Sequence, residues 1–97
     1  YLYRKGIRKV AIYGLGMLGL HLVKELEDSS VEIIYGIDRA AEAMHQSFPV
    51  VIPGEMIGMV DAVIVTPVYA FDEIYTVLRK VYQGEILSLM ELVTDAE

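Results

Sequence analysis

The chain has no cysteine among its 97 residues, which excludes a disulfide framework, a thiolate nucleophile and a Cys-ligated metal site. Long hydrophobic runs are missing as well: the apolar stretches are short and broken by charge, far below the roughly 20 residues that span a bilayer. The opening Tyr1-Leu2-Tyr3-Arg4-Lys5 lacks the apolar core of a secretory signal, and a cytoplasmic setting is expected. Basic residues are few, 8 Lys and Arg against 14 Asp and Glu, for a formal charge of −6. Arg4, Lys5, Arg8 and Lys9 concentrate +4 in the first nine residues and leave −10 on the remainder. Such an acidic body argues against nucleic acid, whose binding needs a basic surface to displace counterions. The basic start reads as a solvated lead-in to the first strand. No nucleophile–base pair, no acid pair at catalytic spacing and no metal-ligand cluster is legible, nor is any repeat or linker. The first residue is not Met, and a piece of a longer protein or a trimmed tag is expected.

Apolar residues, by contrast, are plentiful, 55% of the chain with a mean hydropathy of +0.44. At this length one domain is expected over residues 1–97, since separate cores need roughly 100 residues or more each. The apolar excess suits parallel strands buried on both faces, or an exposed face held against a second copy or a neighbouring domain. Patterning predicts a strand at 9–13, a helix at 17–28 with Leu18, Leu22 and Leu26 as its inner stripe, and a strand at 31–37 closed by Asp38. A short helix at 39–47 stops at Phe48-Pro49, and a brief strand at 50–52 is followed by a turn at 53–54 and a helical turn at 55–59. The continuous apolar run at 61–66 reads as a central parallel strand. Phe71, Ile74, Tyr75, Leu78 and Tyr82 form a 3.6-period stripe on a helix at 71–82, with Asp72 and Glu73 at its start and Arg79-Lys80 at its end. A fifth strand at 85–88 and a turn at 89–93 complete the chain. Strand–helix alternation at this spacing implies right-handed crossovers and an α/β, three-layer sandwich on a five-stranded parallel sheet of order 3-2-1-4-5. The ligand crevice of such a sheet lies where the order reverses, beside the first strand.

Gly14-Leu15-Gly16-Met17-Leu18-Gly19 occupies that crevice, between an apolar strand and an amphipathic helix. Gly14 suits a tight turn, Gly16 lets backbone N–H groups approach a pyrophosphate, and Gly19 lets the helix pack close to the sheet. The helix N-terminus, carrying about half a positive charge, then faces the anion. Asp38 falls 22 residues after Gly16, where an acid that accepts from ribose hydroxyls is expected. Its charge favours NAD over NADP, whereas the adjacent Arg39 could stack on adenine or accept a 2′-phosphate. Other readings stay open: an empty glycine-rich turn, a different anion, and Asp38 as a helix cap. Thr66-Pro67 is either a wall beneath the nicotinamide-side ribose or a strand terminator. His21 and His45 read as surface or packing residues. The five Met and seven Tyr read as filler of core and interface.

These residues resemble the NAD(P)-binding Rossmann superfamily, with Val10 to Gly19 matching its fingerprint. Asp61-Ala62-Val63-Ile64-Val65-Thr66-Pro67 resembles the fourth-strand signature of the glucose–fructose oxidoreductase and inositol dehydrogenase family. Tyr13-Gly14-Leu15-Gly16 together with Ile37-Asp38-Arg39 is similar to the small Rossmann modules of bacterial polysaccharide and nucleotide-sugar enzymes. The resemblance implies a nicotinamide dinucleotide or sugar nucleotide held at Gly14, Leu15, Gly16, Met17, Leu18, Asp38 and Arg39. The oxidoreductase family carries a Glu-Lys-Pro segment after its fifth strand. This chain has Ser88-Leu89-Met90-Glu91-Leu92, and no lysine follows Lys80, which counts against a stand-alone dehydrogenase. The leading expectation is a nucleotide-binding module with NAD as ligand. Its alternatives are the cofactor half of an oxidoreductase or nucleotide-sugar dehydratase, and a non-binding oligomerisation domain that associates through Tyr75 or Tyr82. Coenzyme A is a minor variant.

Overall fold

The computed structural model describes residues 6–27, 29–38, 48–52, 60–67 and 70–89. Lys9–Tyr13 forms β1, Glu32–Ile37 β2, Val50–Val51 β3, Ala62–Val65 β4 and Glu85–Ser88 β5. All pairings are parallel and the order is β3-β2-β1-β4-β5, as the alternation predicts. Helix α1 (Met17–Glu27) joins β1 to β2, and α2 (Phe71–Leu78) joins β4 to β5. These two crossovers leave the middle of the sheet in opposite directions, so right-handed connections put their helices on opposite faces.

The side chains divide accordingly. Val10, Ile12, Ala62, Ile64 and Leu87 pack with Leu22 and Val23 of α1. Ala11, Ile37, Val63, Val65 and Ile86 pack with Leu78 of α2 and with Tyr82. Every residue of β4 is fully buried, because β1 and β5 pair its edges while both faces are covered. A bulge keeps β2 in step: the partner of β1 jumps from Ile33, opposite Val10, to Tyr35, opposite Ala11. Ile34 is the extra residue, so Ile33 stays in the α1-side core and Tyr35 in the other. At the N-terminal end of the sheet the Asp61 carboxylate accepts from the N–H groups of Arg8 and Lys9, at 2.9 and 3.0 Å. Those bonds hold its carboxyl below the usual carboxylate range.

Several boundaries differ from expectation. The inner stripe of α1 is Gly19, Leu22 and Val23 with Leu26 half-buried, whereas Leu18 is 53% exposed. Helix α2 ends at Leu78, not at Tyr82. Beyond it Lys80 N–H donates to Val77 and Val81 N–H to Leu78, while the Arg79 guanidinium donates to the carbonyls of Tyr82 and Gly84. Arg79 thus caps the turn after the helix instead of lying in its last turn. Tyr82 is buried, its hydroxyl donating to the Val60 carbonyl and its pKa pushed up by that burial, so it is removed from any association face. β2 begins at Glu32, β3 stops at Val51, and β4 spans Ala62–Val65. The short helix at 39–47, the turns at 53–54 and beyond Leu89, the helical turn at 55–59, and Asp28, Arg39 and His45 lie outside the described residues.

Candidate functional site

β1 delivers the chain to Gly14, whose φ of +89° is a left-handed conformation that glycine adopts without steric cost. Gly14 N–H donates to the Ile37 carbonyl at 2.8 Å, which ties the turn to the end of β2. A Cβ on Gly14 would lie 2.8 Å from Thr66 Oγ1 and 3.0 Å from Pro67 Cδ. A Cβ on Gly19 would collide with the Gly14 carbonyl, so the first turn of α1 rests directly on the loop. Gly16 is different, for a Cβ there would meet nothing within 4 Å. The first rung of the helix is Leu20 N–H to the Gly16 carbonyl, 2.9 Å. The N–H groups of Met17, Leu18 and Gly19 precede that rung and have no intrahelical acceptor. Met17 is 84% exposed, and this helix start lies at the carboxyl edge of the sheet.

Asp38 follows the last residue of β2. Its backbone N–H donates to Val51 at 2.9 Å, and its Oδ2 accepts from Leu15 N–H at 2.8 Å. The acid expected at the ribose therefore also grips the glycine loop from across the crevice. One loop amide is engaged internally, using one of the roughly four acceptor sites of a carboxylate. Thr66 lies beneath the loop, only 3% exposed. Its N–H donates to the Tyr13 carbonyl at 3.0 Å, and its hydroxyl faces the carbonyls of Tyr13 and Gly14 at 3.0 and 2.9 Å. Thr66 thus braces the turn from below while Pro67 reaches the surface above it.

A cleft of about 390 Å³ opens beside these groups. Tyr13, Gly14 and Asp38 form one side; Pro67 with Ala70, Glu73, Ile74 and Val77 forms the other. Its charged lining among the described residues is acidic, Asp38 and Glu73. Of the residues singled out from sequence, Gly14, Leu15, Asp38, Thr66 and Pro67 converge here, and Gly16, Met17, Leu18 and Gly19 form the adjoining helix start. Arg39 lies outside the described residues. The α2 wall was not foreseen. Its signal was available in Ala70, Glu73, Ile74 and Val77, spaced three or four apart along one helix face. His21 is exposed on α1, away from this lining. A second hollow of about 360 Å³ lies at the far end of α1, around Leu26, Ser29, Glu32 and Phe48.

Among the described residues, no cluster of three or more His, Asp and Glu side chains is placed to hold a metal ion. No helix among them is long and apolar enough to cross a membrane. Together the fold and the loop define a doubly wound α/β domain with a glycine-lined cleft at its switch point. Comparison with known proteins finds no matching family model, no matching curated protein and no matching solved structure.

Proposed function

We propose that the chain is a cytoplasmic nucleotide-binding module of Rossmann type, with NAD(H) as the ligand that fits best. One observation carries the reading: Gly16 faces open space where the amides of Met17, Leu18 and Gly19 stand ahead of the helical ladder, next to the cleft that Asp38 lines. Those amides and the positive end of α1 suit a pyrophosphate. Asp38 suits the adenosine ribose, with its carboxylate steadied by Leu15 N–H and charged against a 2′-phosphate. Thr66 braces the loop, Pro67 walls the cleft, and Arg39 adjoins Asp38 in the chain. The cleft volume falls within the range of about 300–1,000 Å³ common for small-molecule sites. NADP, a nucleotide sugar and coenzyme A are the competing ligands.

The test is thermal melting with NAD, NADP and UDP-glucose. NAD at about one hundred times its Kd adds about 2.7 kcal/mol of stability and raises Tm by several degrees. Gly16→Val melts close to the parent alone, since its side chain points into open space, and loses most of the gain from NAD. A melt unmoved by all three ligands contradicts the proposal and favours a non-binding structural domain.

A second reading builds on the first. Met17, Leu18 and Leu20 are all exposed beside the loop, a surface suited to a neighbouring domain or a second copy. In that case the chain is the cofactor half of an oxidoreductase or nucleotide-sugar dehydratase of polysaccharide synthesis, with its catalytic residues elsewhere. Tyr75, exposed on α2 and paired with the Arg79 guanidinium, offers a second association face.

A further inference from the structure

The α2 end of the cleft carries chemistry that a phosphate-binding loop does not use. The phosphate-facing amides belong to α1 and the ribose acid to the end of β2, so the base of a nucleotide is left the wall formed by α2. Pro67, Ala70, Ile74 and Val77 give that wall small or aliphatic side chains, which suit the faces of a flat ring. Glu73 supplies its hydrogen-bonding side chain, lining the same cleft as Gly14 and Asp38. We propose that Glu73 reads the base of the bound nucleotide, accepting from the exocyclic amine of a 6-aminopurine and disfavouring a 6-oxopurine. The inference rests on the nucleotide reading above.

An ionised carboxylate only accepts hydrogen bonds. An amine at C6 donates to it, whereas a keto oxygen at C6 turns an acceptor and its partial negative charge toward it. Among the described lining residues no basic side chain offsets that repulsion. The next cation along α2, Arg79, is engaged with Tyr75, Tyr82 and Gly84. Glu73 is exposed, so water weakens the discrimination to about tenfold, far below the roughly 10⁴-fold reached where such a group is buried.

The experiment is isothermal titration of the 97-residue chain with NAD and with nicotinamide hypoxanthine dinucleotide, which differ at the purine alone. The parent binds NAD about tenfold more tightly, Glu73→Gln brings the two ligands within about twofold, and Asp72→Asn, one residue away and outside the cleft lining, keeps the parent ratio. Comparing two ligands on one variant cancels any change in its stability, and the parent ratio decides the matter if Glu73→Gln does not fold. Equal binding of both ligands by the parent, or an unchanged ratio in Glu73→Gln, overturns the role of Glu73 and leaves the nucleotide reading standing. Binding of neither ligand overturns both.

Discussion

At Gly14 the backbone adopts φ +89° directly above the Thr66 hydroxyl, and the two residues act as one joint. Thr66→Val keeps the volume but strips the carbonyls of Tyr13 and Gly14 of a buried donor, with an expected loss of about 1–3 kcal/mol. Thr66→Ser keeps the hydroxyl, gives up one methyl group and loses less, about 1 kcal/mol. Urea unfolding of the two variants checks the order; an equal loss for both would mean that packing, not the hydrogen bonds, holds the joint. Sequence reasoning assigned each loop glycine a separate task, and each has its counterpart in the structure. It missed the Thr66 bonds and the Asp38–Leu15 bond. Both join positions far apart in the chain, 52 or 53 residues for Thr66 and 23 for Asp38, and follow from sheet pairing that no local pattern encodes.

Helix α1 illustrates how a correct element can carry an incorrect face. Leucines four apart at 18, 22 and 26 suggest a stripe, but such a row drifts around the helix, since four residues exceed one 3.6-residue turn. The contact line is set by Gly19, whose missing side chain lets the helix settle on the Gly14 carbonyl and turns Leu18 outward. The β4 run was easier to read, because burial on both faces leaves an unbroken apolar stretch. At the other end of that strand, Asp61 joins β4 to β1 through the amides of Arg8 and Lys9. Its folded pKa lies below the unfolded value near 3.8, chiefly because of those two hydrogen bonds. Its stabilisation is therefore complete above that value and is lost as pH falls through the lower, folded pKa. Urea midpoints at pH 7, 4 and 3 should show the gap between the parent and Asp61→Asn shrinking with acid; a constant gap would contradict this role.

Taken whole, the molecule is a sheet with one core on each face, and its only reversal of winding lies between β1 and β4. That arrangement was legible because strands and helices alternate with short connections, and right-handed crossovers leave few ways to assemble them. The cleft wall was not legible. It depends on how α2 lies across the end of β4, and Ala70, Ile74 and Val77 interleave in sequence with the core positions Phe71 and Leu78. The winding brings the amide-bearing start of α1, the Asp38 carboxylate and the α2 wall to the same edge. The central claim is that main-chain amides at that edge hold a diphosphate. Amide ¹H–¹⁵N spectra recorded while NAD is added test it residue by residue. The account predicts that the Gly16, Met17, Leu18 and Gly19 signals move together and saturate with the ligand, ahead of those at the far end of α1. Signals at the loop that stay fixed at saturating NAD, or shifts confined to the hollow around Leu26 and Phe48, would contradict it.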